Sequence, residues 1–411
     1  MFLAERTKNE HPYLTSDPNK PYNRVIICAV KDTQMGRYIW QSETWPNFSW
    51  DSTALLKPLG QARQAQGRLL AEVRFGLGLE LQAEFITQEG MATAAIEGEH
   101  LNRQAVRSSV ARRLGLSTAG LPPAERHVDG LVQMLIDATM GYKKPLTTNR
   151  LFGWHAALFP TGYSDLVEIT VGRWRDSSES MQVVSGPLGR EHVHYQAPPS
   201  QQVPIEMDRF LAWWSAPSAD MDGMVRAGLA HLWFVSIHPF EDGNGRIARA
   251  LTDMALAQDE GSGQRLYSMS HQIQAESSTY YDVLERTQKE VGDATEWLAW
   301  FLKCLARAIQ HSGKQISLAL SHSEFWQKHA EAGLNQRQVK VIKKLLEAGP
   351  DGFEGGMTNR KYVGMAKVSR ETAKRDLADL VAKGISRKNP SGGRSVSYNL
   401  VWPEKERFGK H

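Results

Sequence analysis

The order of apolar and polar positions divides the chain into a long helical body, one β-type interruption and a tail with a different pattern. From Ser52 to about Glu89 apolar residues recur at helical spacing, as one long helix or as two joined near Gly76–Gly78, and residues 91–114 continue the run. The same period returns at 124–141, 147–159, 204–215, 222–237, 243–256, 274–291 and 293–312. Between these helices, Leu166–Tyr195 holds short β-type runs (LVEITVGRW, MQVVSG, EHVHY) separated by turn residues, and Ala197-Pro198-Pro199 closes the segment. The body is therefore expected to be mainly α and to run to about residue 330.

Residues 335–400 follow another grammar. NQRQVKVIKKLLEAG is a helix stopped by Gly349-Pro350, and TNRKYVGMAKVSRETAKRDLADLVAKG offers a short helix, a turn and a helix with Ser369 as its N-cap. ISRKNPSGGRSVSYNL then reads as two strands around a Pro/Gly turn. Three helices and a hairpin in this order predict a winged-helix domain. At the other end, residues 1–36 are polar and weakly periodic, either loose or an over-extended start with Met35 as the true first residue. Residues 37–120 form an amino-terminal helical region. Its first part, YIWQSETWPNFSW at 38–50, is dense in aromatics, which predicts a small strand or turn unit clasping a larger domain.

A length of 411 residues sets the expectation of two or three domains. There is no run of 18 apolar residues, so no membrane association is expected. The apolar stretch 22–30 lacks a small-residue cleavage pattern, which argues against a secretory signal. The only cysteines, Cys28 and Cys304, fit a reducing compartment, hence a cytoplasmic location, and exclude a cysteine-only metal cluster. The formal net charge of +4 is uneven. Residues 335–411 hold 17 Lys+Arg against 8 Asp+Glu, a net of +9, and the remainder holds 32 against 37, a net of −5. A basic tail on an acidic body points to a nucleic-acid or acidic-protein partner for the tail.

The densest chemistry is HPFEDGNGR at His238–Arg246, with Arg249 one turn later. Pro239 disfavours helical geometry at His238, so the imidazole sits where a helix breaks. Gly243 and Gly245 permit positive φ or close backbone approach, and the next helix begins there, its free N–H groups forming a ready anion site. Arg246 and Arg249 share one face near that start, where two cations oppose the helix dipole unless a polyanion is present. Asn244 offers an amide donor, and Asp242 offers the hard oxygens that Mg²⁺ prefers. His238 can accept a proton from an attacking hydroxyl at neutral pH. Phe240 and Ile247 are expected to face the core and fix the loop. The set as a whole implies phosphoryl- or nucleotidyl-group transfer.

HPFEDGNGRIAR resembles the HPFxxGNGRxxR signature of the Fic family, and the likeness extends over roughly residues 38–400. The resemblance implies an all-helical Fic core, at 121–330, with a short β-hairpin flap. It further implies a protein adenylyltransferase that moves AMP from ATP to a Ser, Thr or Tyr hydroxyl of a target protein, or of itself. His238 would deprotonate the hydroxyl, and Asp242 would hold Mg²⁺. Gly243, Asn244 and Gly245 would cradle the phosphates, Arg246 would stabilise the β-phosphate and Arg249 would reach the γ-phosphate.

TAAIEG at Thr93–Gly98 resembles the family's inhibitory motif [S/T]xxxE[G/N]. By that analogy Glu97 pairs with Arg249 and takes it from the γ-phosphate. In some family members the same glutamate orients water for AMP removal, and the sequence leaves both uses open. The strand Glu191, His192, Val193, His194, Tyr195, with the PPSQQVP that follows, resembles the flap that offers backbone hydrogen bonds to an extended target segment. His192 and His194 share a strand face. A metal site needs at least one more ligand, and the sequence assigns none, so a structural or target-contacting role is expected for the pair.

Arg370, Lys374 and Arg375 lie on the third tail helix, with Arg387, Lys388 and Arg394 on the wing. Such a tail reads duplex DNA, docks a protein or a second copy of the chain, or simply packs. The rival to a transferase is a nucleotide-sensing DNA-binding regulator, and a third reading is transfer or removal of another phosphate-linked group.

Overall fold

Gly, Asn and Ser stops between amphipathic runs set the element order in the computed structural model of this chain. The structure describes residues 38–402 apart from 74–78, 165, 179, 187–189, 217–219, 291, 350–354 and 391–395, together with the backbone of 24–28. The chain divides into two compact units, residues 1–312 and 313–411.

The larger unit begins with strand β1 (Arg24–Cys28), a structured piece within the amino-terminal stretch. The helices α1 (Ser52–Val73), α2 (Leu79–Ile96), α3 (Arg103–Arg113), α4 (Arg126–Met140) and α5 (Thr148–Leu158) follow. The β interruption comprises β2 (Tyr163–Ser164), β3 (Val167–Glu168), β4 (Ser180–Ser185) and β5 (His192–Gln196). Then come α6 (Val203–Ser215), α7 (Gly223–Ile237), α8 (Asn244–Glu260), α9 (Met269–Ala275), α10 (Ser277–Gln288) and α11 (Thr295–Lys328), whose last part belongs to the smaller unit.

Helix α7 is buried on every side, which matches its nearly continuous apolar sequence, and it packs along α8 at the centre of the unit. Phe240 and Ile247, on either side of the α7–α8 turn, are both fully buried as expected. The strands β1, β4 and β5 form an antiparallel sheet in the order β1-β4-β5, with a bulge at Val183/Val184. The aromatic stretch after Tyr38 ties this sheet to the core. The Trp40 indole N–H donates to the Gln196 carbonyl (2.7 Å), that of Trp45 donates to Glu206 (2.7 Å), and Tyr38 meets Tyr195 edge to face at 5.4 Å.

Several predicted boundaries shift for identifiable reasons. The helical run expected over 91–114 breaks after Ile96. Gly98 there adopts φ 91°, and Asn102 restarts the helix by accepting from the N–H groups of Gln104 and Ala105. The run over 274–291 is two helices meeting at Glu276, the first capped by Ser268. The run from 293 extends to Lys328 because apolar spacing continues through Ile316 and Phe325. LVEITVGRW yields only the short β2–β3 ladder.

The smaller unit contains α12 (Gln336–Ala348), β6 (Met357–Thr358), α13 (Asn359–Ala366), α14 (Arg370–Ala382), β7 (Ser386–Lys388) and β8 (Ser397–Leu400). The sheet order is β6-β8-β7. Phe325, Val341, Ile342, Tyr362, Leu377, Leu380 and Ile385 build its core. Ser369 caps α14 by accepting from the Thr372 N–H (3.1 Å), as its position predicts. Among the described residues no helix is long and apolar enough to cross a membrane.

Candidate active site

The site forms where α7 stops and α8 starts. His238 terminates α7 in the left-handed region (φ 53°, ψ 58°), a conformation that a bulky residue holds only when its surroundings impose it. Here Arg175 helps to hold it. Its Nε donates to the His238 carbonyl (2.7 Å), another nitrogen reaches the Pro198 carbonyl, and its backbone N–H bonds the Pro239 carbonyl (2.9 Å). This buried guanidinium staples the motif loop to the end of the flap. Burial pulls its pKa down to about 10, and it remains charged at neutral pH. Nothing in the pattern around Arg175 marks it, because its partners are backbone carbonyls far away in sequence.

His238 Nδ1 lies 3.2 Å from the Val235 carbonyl, which can only accept. The proton is therefore on Nδ1, and Nε2 carries the lone pair. Nε2 is buried and has no hydrogen-bond partner. Burial, then the nearby Arg175 cation, pushes the His238 pKa down to about 4, against smaller opposing effects from Val235, Asp242 and Glu97. The ring is thus neutral, with an open acceptor directed by its own backbone.

A second histidine supports the loop. His155, on α5, stacks on Phe240 (4.2 Å between rings), donates from Nε2 to the Asp242 carbonyl (3.2 Å) and accepts the Gly172 N–H at Nδ1 (3.1 Å). Asn244 spends its amide on the same turn: Oδ1 accepts from the Phe240 N–H (2.9 Å) and Nδ2 donates to the Phe240 carbonyl (2.8 Å). It shapes the cradle, and one of its two Nδ2 hydrogens is not used in these bonds. Gly243 holds φ 80°, and a Cβ there would lie 2.9 Å from the Phe159 ring, so glycine is required on both counts.

Asp242 sits on the rim, its side chain about one-third exposed (32%). Oδ1 accepts the Gly243 N–H, Oδ2 accepts the Ser164 hydroxyl, and Arg246 approaches at 3.5 Å. A hard oxygen at a water-accessible edge, beside an anion-binding helix start, fits Mg²⁺. Arg246 lies over the Phe159 ring at 4.9 Å, between Asp242 and Glu99, each 3.5 Å away, and its buried Nε has no partner.

Arg249 is held more tightly. It is buried and donates from Nε to Thr93 Oγ1 (2.7 Å), and from Nη2 to the Thr93 carbonyl (3.1 Å) and Glu97 Oε1 (2.6 Å). Burial lowers its pKa, but Glu97, Tyr280 and Tyr281 together hold the group above its ordinary value. Oε1 of Glu97 lies only 2.3 Å from where a Cβ on Gly245 would stand. The carboxylate therefore rests over the first turn of α8, where an anion is favoured by the helix dipole.

The structure thus brings together His238, Asp242, Gly243, Asn244, Gly245, Arg246, Arg249, Thr93 and Glu97. Of the expected flap residues, Glu191 lies just before β5, and His192, Val193, His194 and Tyr195 lie on it. Tyr195 anchors the strand by donating to the Ser236 carbonyl (2.6 Å).

This helix–turn–helix cradle has known counterparts. Residues 145–256 match the Fic/DOC family. The chain carries a Fic-family domain. Residues 38–116, which include the Fic domain's partner residues Thr93 and Glu97, match a separate domain of unknown function, DUF4172. The chain is similar to the protein adenylyltransferase Fic of Culex quinquefasciatus, at 32% identity over 106 residues, covering 26% of this chain and 20% of that protein. The match therefore spans about a fifth of the curated relative's length. Among solved structures, a Fic family protein from Desulfovibrio desulfuricans is similar over 87% of this chain and 98% of its own, with 20% identity and a TM-score of 0.51. A Fic domain-containing signaling protein from Bacteroides thetaiotaomicron matches over 62% of this chain and 97% of its own, with 18% identity and a TM-score of 0.47.

Proposed function

We propose that the protein is an adenylyltransferase that transfers AMP from ATP to a hydroxyl side chain of a protein, and that Glu97 holds it in check. The observation that carries this reading is the unpartnered Nε2 of a neutral His238, fixed at the edge of an anion seat that Glu97 occupies. Nε2 takes the proton of the incoming hydroxyl, and the freed oxygen bonds to the α-phosphorus. The bond from that phosphorus to the bridging oxygen breaks, and pyrophosphate leaves. Asp242 would hold Mg²⁺, which supplies charge neutralisation for the phosphates. Arg246 and the N–H groups at the start of α8 face the charge that develops, commonly the largest catalytic contribution. Arg249 joins them only after leaving Glu97.

The test is intact mass after incubation with ATP and Mg²⁺, alone and with candidate acceptor proteins. Glu97→Gly should gain one AMP mass, or transfer it, far faster than wild type, and His238→Ala in that background should gain none. An unbraked variant that consumes no nucleotide with any acceptor ends the proposal.

A polyanion partner is proposed for the tail, read as a winged helix. The side chains of Arg370, Lys374, Arg375, Arg387 and Lys388 are exposed, whereas Arg337 and Lys383 are neutralised by Asp376 and Asp379. Exposed cations gathered on α14 and β7 favour duplex DNA as the partner.

A further inference from the structure

We propose that His192, His194 and Glu285 form a binding site for a divalent transition-metal ion of the Zn²⁺ class, which clamps the flap strand to α10. The two histidines are two apart on β5 and share one face, with ring centroids 4.6 Å apart. Helix α10 supplies the third donor, missed in the sequence because it lies about ninety residues further on. Glu285 Oε2 is 2.6 Å from His194 Nδ1, and Oε1 is 3.8 Å from His192 Nε2. One ligand atom from each residue lies within 4.8 Å of the other two. Small side-chain adjustments bring three such atoms to about 2.0–2.2 Å around one ion.

The donor set selects the metal. Two imidazoles and a carboxylate suit Zn²⁺, Ni²⁺ or Co²⁺, whereas Mg²⁺ prefers all-oxygen ligands. The site is thus chemically separate from Asp242. His192 is 68% exposed in its side chain, which provides an entry path and leaves a coordination position to water. Ser185 Oγ stands 2.6 Å from His194 Nε2. An outer partner on the second ring nitrogen is the usual companion of a ligating histidine, and it turns Nδ1 toward Glu285.

Two contacts compete with the ion. Lys289, the residue that caps the C-terminus of α10, places its Nζ 2.5 Å from Glu285 Oε1. The lysine is 39% exposed and can turn to water when a divalent ion takes its place. The metal-free alternative is a plain clasp in which His194 Nδ1–H donates to Glu285. Both forms join the flap to α10, and only the first takes up metal.

The experiment uses the full chain, stripped with a chelator, and titrated calorimetrically with Zn²⁺, with elemental analysis after desalting. One Zn²⁺ per chain is expected, with a rise in melting temperature. His192→Ala and Glu285→Gln, the first on an exposed side chain, should each weaken binding by at least about tenfold, the loss typical even of an outer partner. Lys289→Met, which removes the competing ammonium, should tighten it. Less than one Zn²⁺ per wild-type chain, or wild-type affinity in both His192→Ala and Glu285→Gln, overturns the proposal. Because the readout is metal content and not AMP transfer, its failure is distinct from failure of the transferase reading.

Discussion

Glu97 at the end of α2 and Arg249 on the second turn of α8 share a 2.6 Å charge-assisted hydrogen bond, 152 residues apart in the chain. Arg249 is buried, and Glu97 covers the helix start beside it. One contact therefore holds both a cation and an anion seat that a triphosphate would use.

Removing the carboxylate should release both. Glu97→Gly leaves Arg249 buried with its two Thr93 bonds. The expected cost is on the order of 1–3 kcal/mol, below the loss of a fully buried pair because the Glu97 side chain is 29% exposed. Thermal melts should show a lower Tm for the variant, and ATP with Mg²⁺ should raise it more than in wild type.

A methyl group at position 245 tests the anion seat independently. In wild type the Cβ of Gly245→Ala would meet Glu97 Oε1 at 2.3 Å and must displace it. In the Glu97→Gly background the same Cβ projects where a phosphate oxygen would sit. Nucleotide affinity by calorimetry should then fall at least about tenfold, a loss of roughly 1.4 kcal/mol. Unchanged affinity places the phosphates elsewhere.

Three buried histidines set a pH dependence of stability. His238 and His155 are pushed down to about 4 and His231 to about 3, in each case first by burial. Between these values and about 6.5 the unfolded chain binds protons that the folded chain refuses. Their contribution is fully present above about pH 6.5 and is lost as pH falls toward 4, on the order of a few kcal/mol for each. Tm should decline steadily from pH 7 to 5. His231→Gln, placed away from the motif loop against Thr252 and Tyr280, should flatten that decline.

The tail makes a separate prediction. Duplex DNA should be retarded by the full chain, with affinity falling steeply as salt rises. Replacing Lys374 and Arg375 by Ala should lower the salt slope by about one for each phosphate that the variant no longer neutralises. Binding that ignores salt argues for a protein partner.

Much of the site was legible because its chemistry is local in sequence. His238 through Arg249 lie on one turn and one helix start, and Pro239 with Gly243 announces the break. The helical body was legible from its period, and Ser369 from its cap. What escaped depends on distant backbone. Arg175 bonds carbonyls of Pro198, His238 and Pro239, and carbonyls leave no mark in a sequence. The structural bonds of Asn244 to Phe240 were not legible, since these loop residues come within reach only once the turn has formed. Glu285 joined His192 and His194 for a similar reason: a strand and a remote helix share a face only after folding. Glu99 shows the same limit at short range, since only the turn at Gly98 aims it at Arg246.

Glu97 rides on α2, whose seat is set two turns earlier by Glu89. That side chain accepts from the Ser268 hydroxyl (2.7 Å) and the Ser270 N–H (3.1 Å) at the head of α9. On the proposed reading, the hold of Glu97 on Arg249 depends in part on this mooring, some distance from the chemistry. If Glu97 is the brake, a substitution that loosens α2 from α9 would weaken it without touching a single reacting group.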